Sequence, residues 1–320
     1  MEDRQERARV RLHATGVGRL YVVGTPIGNL GDLSPRAVEA FEAADAICCE
    51  DTRVTSKLLA HAGVSRTLIR CDENVIDQRA PELIERMLAG EVLAFTSDAG
   101  MPCVSDPGQV LVDAAIEACV PVEVVPGPSA CITALAASGI PCEHFFFEGF
   151  LPRRAGERER RLRQLAAVPG ALIFYESPHR TLDTLESVAN VFPDRVVALC
   201  RELTKLHEEV LRAPAPELLD QVCERGEIRG EVVLVVAPPS DEELDVTSRA
   251  AAAQAAGTAS EGQPTQTPED RLRADIVAAL DAGEQPSAAA KRLSQQYSTR
   301  KSVVYDLILQ VQQERQEQRR

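Results

Sequence analysis

The sequence lacks the patterns that mark secreted, membrane-spanning and metal-binding proteins. No apolar run approaches the roughly 18–20 residues that a spanning helix needs, and the charged start has no apolar signal segment. The nine cysteines are scattered without a CxxC pair, and the five histidines are equally dispersed. We therefore expect reduced thiols, a cytoplasmic location, no disulfide framework and no metal site.

The composition is that of an ordinary globular protein, with 44% hydrophobic and 26% charged residues. A length of 320 residues predicts two domains or slightly more. The net charge of −14 argues against a nucleic-acid partner. Two segments are locally basic, however: residues 153–163 hold six arginines, and residues 287–320 hold seven basic side chains. Solvated faces and ligand contacts are both consistent with these segments.

Short apolar runs alternate with amphipathic stretches from residue 19 onwards, which predicts a largely parallel α/β sheet. A second unit begins near residue 144, where the spacing of the runs favours a mixed sheet. Residues 239–268 offer almost nothing to bury and are predicted to be a flexible linker. The expected domains are residues 19–141, residues 142–238 and a helical tail at residues 269–320.

Three loops rich in glycine and proline follow predicted strands, where open α/β sheets bind ligands. GTPIGNLGDL (residues 24–33) is neither a Walker A loop nor a GxGxxG motif, which disfavours ATP hydrolysis and ordinary dinucleotide binding. TSDAGMPCVSDPG (residues 96–108) holds Asp98, for which we expect a ligand role. VPGPSACITAL (residues 125–135) supplies small residues against which a flat ligand fits. Together the loops predict a cofactor site.

Eight motifs follow one another along the chain: GTPIGNLGDL, EDTR, SDAGMPCVSDPG, PGPSA, FEGFLPR, FYESPHR, CRELTK and RGE. In this order they closely resemble the ribosomal RNA small subunit methyltransferase I family of the tetrapyrrole methylase superfamily. The resemblance covers about residues 20–236, and the tail resembles the family's C-terminal helical domain more loosely. Two positions depart from the family: Met101 stands where threonine is frequent, and DENVI (residues 72–76) replaces a histidine-rich segment. The second departure disfavours a histidine base in that loop.

The resemblance implies a two-domain tetrapyrrole-methylase-like α/β fold, with the cofactor in the interdomain cleft, and a small C-terminal helical domain. It implies methyl transfer from S-adenosylmethionine to the ribose 2′-hydroxyl of a cytidine in 16S rRNA of the small ribosomal subunit. S-adenosylhomocysteine is the implied product, and a homodimer without a metal or a membrane partner is the implied form. The residues matched to the cofactor are Pro26, Asp98, Ala99, Gly100, Val104, Ser129 and Ala130 in the first domain and Tyr175, Leu203, Gly230 and Glu231 in the second.

A ribose hydroxyl is a poor nucleophile until its proton is taken, so the reaction favours a base. Carboxylates in the EDTR, FYESPHR and CRELTK motifs could serve, and so could His179. Nearby arginines and Lys205 could hold RNA phosphates or orient those carboxylates. For each acid, an ion pair with a basic residue of its own motif is about equally consistent with the sequence. Our catalytic candidates are Asp51, Glu176, Lys205, Glu50 and Arg53.

The basic segment at residues 153–163 follows the FEGF motif, and we expect it to contact RNA near the cleft. Aromatic residues make up only 4% of the chain and tryptophan is absent, so extensive base stacking is disfavoured. Two alternatives remain open at this point. One is a methyltransferase acting on a cobalamin or sirohaem precursor, and the other is a regulator whose helical tail binds DNA.

Overall fold

Strands and helices alternate through the chain as its apolar periodicity predicts. The computed structural model describes residues 16–244, 268–281, 284–297, 299, 303–305 and 307–311. The chain divides into two units, Met1–Arg249 and Ala250–Arg320, which are described separately. Residues 16–244 of the first unit form two five-stranded sheets.

The first sheet is wholly parallel, with strand order β3-β2-β4-β1-β5. Helices cover both of its faces, so β2 is buried at every residue. Because parallel strands end at one edge, the loops that follow them meet there. The strands are β1 (Arg19–Val23), β2 (Ala46–Cys49), β3 (Thr67–Arg70), β4 (Val92–Thr96) and β5 (Val122–Val125), and the helices are α1 (Pro35–Ala43), α2 (Thr52–Ala62), α3 (Ile76–Leu88), α4 (Gly108–Glu117) and α5 (Ala130–Ser138).

The second sheet is mixed, with strand order β6-β7-β10-β8-β9, as expected from the spacing of its apolar runs. The pair β6 and β7 is parallel, and the other neighbours are antiparallel. Three helices pack on one face through a large apolar cluster. The strands are β6 (Phe145–Phe150), β7 (Ala171–Glu176), β8 (Val196–Arg201), β9 (Glu209–Pro214) and β10 (Val232–Val236), and the helices are α6 (Ala155–Leu165), α7 (Thr181–Val191) and α8 (Ala215–Arg225).

Helix α5 joins the two halves of the first unit. Its sequence, ACITALAAS, is apolar nearly all round, as expected of a helix that is covered on several sides. Cys131 and Ala134 of this helix pack in one cluster with Ile173 and Val233 of the second sheet. Ile27, from the loop after β1, belongs to the same cluster. This packing brings the loops of the first sheet against the second sheet.

The three glycine-rich loops are tied to one another by backbone contacts. Thr25 and Gly100 exchange two hydrogen bonds, of 2.9 and 3.2 Å. The amide of Gly127 donates to the sulfur of Met101 at 3.1 Å. A Cβ atom on Gly127 would stand only 2.7 Å from the carbonyl carbon of Gly24, so the two glycines permit an approach that any side chain would prevent.

The described residues of the second unit are mainly helical, as predicted for the tail. It contains α9 (Pro268–Asp281), α10 (Pro286–Gln296) and further helical residues at 303–305 and 307–311. Ile276, Leu293, Val304 and Ile308 are fully buried in its apolar core. Most of the predicted linker lies outside the described residues.

Three elements were not predicted from the sequence. Helix α2 begins within the EDTR motif, which was identified only as a motif. Strand β9 and helix α8 fill the interval between CRELTK and RGE. Strand β9 escaped notice because its short apolar run is interrupted by Arg212, its sequence ends in proline, and it pairs only at the sheet edge. The proposed boundaries between the expected domains stay predictions.

Substitution of Gly127 by alanine should destabilise the first unit. The added methyl group would press on the backbone of Gly24, which has no flexible end that could move aside. Overpacking of this kind costs roughly 1–3 kcal/mol. Urea denaturation should show this loss for Gly127→Ala. Gly156→Ala, whose methyl group meets nothing within 4 Å, should stay within about 1 kcal/mol of the wild type. Equal stability of the two variants would contradict the close approach.

Candidate functional site

A cavity of about 280 Å³ lies between the loops of the first sheet and the ends of strands in the second. It is lined mainly by apolar and small residues, with two carboxylates at its second-sheet side, a composition typical of small-molecule sites. The first half contributes Ile27, Ala99, Gly100, Met101, Val104, Ser129 and Ala130, and the second contributes Phe150, Tyr175, Glu176, Glu231, Val232 and Val233.

Seven of the eleven cofactor residues named from the sequence line this cavity: Ala99, Gly100, Val104, Ser129, Ala130, Tyr175 and Glu231. The other four do not line it. Pro26, Asp98 and Gly230 are chain neighbours of lining residues, and Leu203 packs in one cluster with Ile27. Their roles toward a cofactor stay predictions.

Several lining residues were not singled out from the sequence. Ile27 and Met101 lie inside loops that were recognised, and Phe150 ends the FEGF motif. Val232 and Val233 begin the strand that follows RGE. The available sequence signal for these residues was their position in or next to a motif. Which of their side chains face the cavity depends on the pairing of distant strands, which a motif does not show.

A separate acidic pocket borders the cavity, because Asp98 lines the pocket and the next residue, Ala99, lines the cavity. The pocket has a volume of about 570 Å³ and contains Glu50, Asp51 and Arg53 of the EDTR motif. The amide of Asp51 donates to the carboxylate of Asp98 at 3.0 Å. The amide of Asp98 in turn donates to Glu50 at 3.2 Å. These reciprocal bonds tie the ends of β2 and β4 together.

Asp51 has a structural role in this pocket. Its carboxylate caps α2 by accepting from the amide of Arg53 at 2.8 Å. The same carboxylate forms an ion pair with the Arg53 guanidinium at 2.6 Å. The hydrogen bonds from Arg53 hold the pKa of Asp51 at about 2. Such a weakly basic group is a poor proton acceptor at neutral pH.

Glu50 has the opposite environment. Burial raises the pKa of Glu50 to about 6, the amide of Asp98 partly offsets this, and the carboxylates of Asp106 and Asp98 raise it further. Its only hydrogen bond to the described part of the chain uses Oε1, so Oε2 is available. A carboxylate with this pKa is ionised at neutral pH and still basic enough to take a proton.

Glu176 lies in the cavity wall, but both of its oxygens are engaged. They accept from the Thr184 hydroxyl at 2.7 Å and from the Ser177 amide at 2.8 Å. Arg180 stands 3.3 Å away as an ion-pair partner. The side chain of Glu176 is fully buried. Glu176 therefore holds the turn after β7 in place. Its contact with Arg180 is the ion pair that the sequence left open as the alternative to a catalytic role.

Lys205 lies in the loop after β8 and does not line the pocket that contains the EDTR residues. Its ammonium contacts Glu202 at 2.8 Å and Glu231 at 3.2 Å. The bond to Lys205 lowers the pKa of Glu202. Two non-glycine residues of this loop, Glu202 and Thr204, have positive φ values of 51° and 66°, an uncommon conformation that concentrates at functional sites. The structure thus does not bring the five catalytic candidates into one cluster.

The six arginines of residues 153–163 have unequal roles. Arg158 is buried and donates to Ser187 and to the carbonyl of Asp183, so it belongs to the core. Three others, Arg154, Arg161 and Arg163, form ion pairs with glutamates. Within the described part of the chain, Arg153 and Arg160 make no ion pair or side-chain hydrogen bond. The RNA contact expected of this segment stays a prediction, and counting charges could not show which of its guanidiniums are already paired.

The residues that the structure describes contain no group of three or more histidine, cysteine, aspartate or glutamate side chains placed to hold a metal ion. No helix among those residues is long and apolar enough to cross a membrane. All nine cysteines lie within residues 16–244 and are free thiols.

The family that this chain matches and its individual relatives are both methylases. Residues 19–219 match the family described as Tetrapyrrole (Corrin/Porphyrin) Methylases. The ribosomal RNA small subunit methyltransferase I of Xylella fastidiosa is 46% identical over 228 residues, which cover 71% of this chain and 84% of that protein. The protein of the same name from Streptococcus pyogenes is 38% identical over 289 residues, covering 90% of this chain and 93% of the relative.

A solved structure supports the fold alone. The uroporphyrin-III C-methyl transferase of Thermus thermophilus, determined with S-adenosylhomocysteine, superimposes with a TM-score of 0.50 at 20% identity. It covers 72% of this chain and all of that chain.

Proposed function

Because the chain belongs to the ribosomal RNA small subunit methyltransferase I family of the tetrapyrrole methylases, we propose that it methylates the ribose 2′-hydroxyl of a cytidine in 16S rRNA. The chain is a methyltransferase by this membership. The observation that carries the finer proposal is the cavity between the two sheets, to which three loops of the first sheet contribute. The acidic pocket next to it contains the carboxylate of Glu50. The proposed donor is S-adenosylmethionine.

The residues present fit this donor. Gly100, Ser129 and Ala130 offer small side chains and accessible backbone, while Tyr175 and Val233 provide apolar walls. Burial raises the pKa of Tyr175 to about 12, so the phenol stays neutral. When bound, S-adenosylmethionine supplies an activated methyl group on a positively charged sulfur. A cavity of this kind binds mainly by shape and backbone contacts.

We assign the proton transfer to Glu50. The free Oε2 of Glu50 takes the proton of the ribose 2′-hydroxyl as the ribose oxygen becomes the nucleophile. The proton later passes from Glu50 to water. The pKa of about 6 suits this task, because an acceptor with a pKa near the working pH combines ionisation with basicity. Asp51 and Glu176 are engaged in ion pairs and hydrogen bonds, and we assign them positioning roles.

Lys205 and Arg53 act on charge and orientation in this proposal. Lys205 fixes Glu231 in the wall of the cavity through their 3.2 Å ion pair. The guanidinium of Arg53 is mostly exposed at the rim of the acidic pocket, where it can meet an RNA phosphate. The carboxylate of Asp51 holds that guanidinium toward solvent.

Labelled S-adenosylmethionine and unmethylated small ribosomal subunits test the reaction directly. We expect label on one ribose 2′-oxygen of a cytidine, located by nuclease digestion and mass spectrometry. Deproteinised 16S rRNA is the matched substrate control, and weaker labelling of it would show that the assembled subunit is the substrate. Label on a base, or labelling of a tetrapyrrole precursor instead of RNA, would contradict the proposal.

Replacement of Glu50 by glutamine should remove the base without changing the shape of the pocket. General-base contributions are typically about 10²- to 10⁴-fold, so kcat should fall by that order while the Kd of S-adenosylhomocysteine stays unchanged. The wild-type kcat should fall as the pH drops through about 6, because protonated Glu50 cannot accept a proton.

Glu73→Gln is the matched control, since Glu73 is an exposed carboxylate near Glu50 whose loss should leave kcat close to the wild-type value. A Glu50→Gln enzyme with wild-type kcat, or a wild-type profile without an acidic limb near pH 6, would exclude Glu50 as the base.

We further propose that the chain works as a homodimer in the cytoplasm, where small ribosomal subunits are found. Exposed apolar side chains away from the cavity, namely Ile116, Val124 and Ile132, support a subunit contact. Sedimentation equilibrium at micromolar concentration should give twice the 34.7 kDa mass of the chain. A mass of one chain under these conditions would contradict the dimer.

A further inference from the structure

Phe150 lines the cavity and yet remains 58% exposed to solvent. Its ring meets the edge of Tyr175, with 5.9 Å between the ring centroids and 67° between the planes. This edge-on contact leaves ring surface of Phe150 uncovered. Val104, also half-exposed, lines the same cavity. An exposed aromatic ring at a cavity mouth is a common feature of a surface that a ligand covers.

A local irregularity of β6 sets the direction of this ring. The register of β6 against β7 shifts between Phe147 and Gly149. Gly149 has a φ of +75°, which glycine adopts without strain. Such bulges re-aim the side chains that follow them and are frequent beside active sites. The irregular register is therefore a built feature that presents Phe150.

Two arginine side chains hold the backbone after Phe150 in place by hydrogen bonds to its carbonyl groups. Arg180 donates to the carbonyl of Leu151 at 2.8 Å. Arg158, which is buried, donates to the carbonyl of Arg153 at 3.1 Å. These bonds fix the segment without using the side chains that point outward. A ligand would thus meet a preorganised surface.

Arg153 adds an unpaired positive charge three residues after Phe150. It is exposed, and among the described residues it has no ion-pair partner, in contrast to Arg154 and Arg163 on the same segment. In a chain with a net charge of −14, such a free guanidinium is a local attraction for phosphate. The ring and this charge are three residues apart on a fixed backbone.

We propose that Phe150 is the platform on which the base of the acceptor nucleotide stacks, and that Arg153 holds a phosphate next to that nucleotide. The inference rests on the proposed function, since it takes RNA as the substrate. Unpaired RNA bases stack readily on aromatic side chains. Phe150 positions the nucleotide and takes no part in bond making, so its loss should act on substrate binding more than on the chemical step.

Phe150→Leu tests the platform, because leucine keeps the apolar character and removes the ring. The KM and Kd for unmethylated small ribosomal subunits should rise about tenfold, within the range measured for base–aromatic stacking. The Kd of S-adenosylhomocysteine should stay unchanged, and Phe150→Trp should restore subunit binding. Phe145→Leu is the matched control, since Phe145 lies on the same strand, is 46% exposed and does not line the cavity.

Arg153→Gln tests the phosphate contact. The affinity for small subunits should fall, and the slope of log affinity against log salt should decrease by about one. Arg163→Gln is the control, because Arg163 is exposed on the same segment but paired with Glu159. It should change neither quantity.

Three results would overturn the inference. Unchanged subunit binding by Phe150→Leu would exclude the platform, and an unchanged salt slope for Arg153→Gln would exclude the phosphate contact. A raised Kd for S-adenosylhomocysteine, with subunit binding unaffected, would assign the ring to the donor. Failure of the proposed function is a separate result. Wild-type protein that binds subunits without methylating them would refute the reaction. The Kd of each variant for subunits, relative to the wild type, would still decide the inference. Wild-type protein that does not bind subunits refutes both.

Discussion

The close approach of Gly24 and Gly127 holds together the loops that form the first-sheet side of the cavity. Without side chains, the loops after β1 and β5 approach until a Cβ atom on either one would touch the backbone of the other. The loop after β4 joins them through the Thr25–Gly100 bridge and through Met101, whose sulfur accepts from the Gly127 amide. The sulfur of Met101 thus has a structural role, because it links the loops after β4 and β5. The small-residue floor of the cavity depends on this arrangement.

The second constraint is the unequal environment of the carboxylates. Glu50 and Asp51 are neighbours in the chain, yet burial raises one pKa to about 6 and Arg53 holds the other at about 2. Glu176 is more deeply buried but is saturated with hydrogen bonds. Separation of acids by environment is how one fold assigns them different roles. In the proposed reaction, proton transfer is therefore assigned to Glu50, which among these three acids lacks a cationic partner.

Much of the fold was predictable, because periodicity and turn residues are local. The parallel sheet from residue 19 onwards, the mixed second sheet and a common edge for the three glycine- and proline-rich loops were expected from the sequence and are present in the structure. What escaped prediction depends on distant contacts. The burial of Arg158 needs Ser187 of another helix, and the pairing of Arg161 needs Glu148 of a strand. Likewise, the burial that raises the pKa of Glu50 depends on segments packed from elsewhere in the chain, whereas Asp51 is paired with Arg53.

The central claim is that the cavity formed by the three loops is the donor site, and calorimetric titration with S-adenosylhomocysteine tests it most directly. Ala130 faces the cavity, whereas Ala137 is exposed on the same helix. A leucine at residue 130 should fill part of the 280 Å³ volume and weaken binding by tenfold or more, on the order of 1.4 kcal/mol. Ala137→Leu should bind like the wild type. Equal affinity of both variants would show that the donor binds elsewhere.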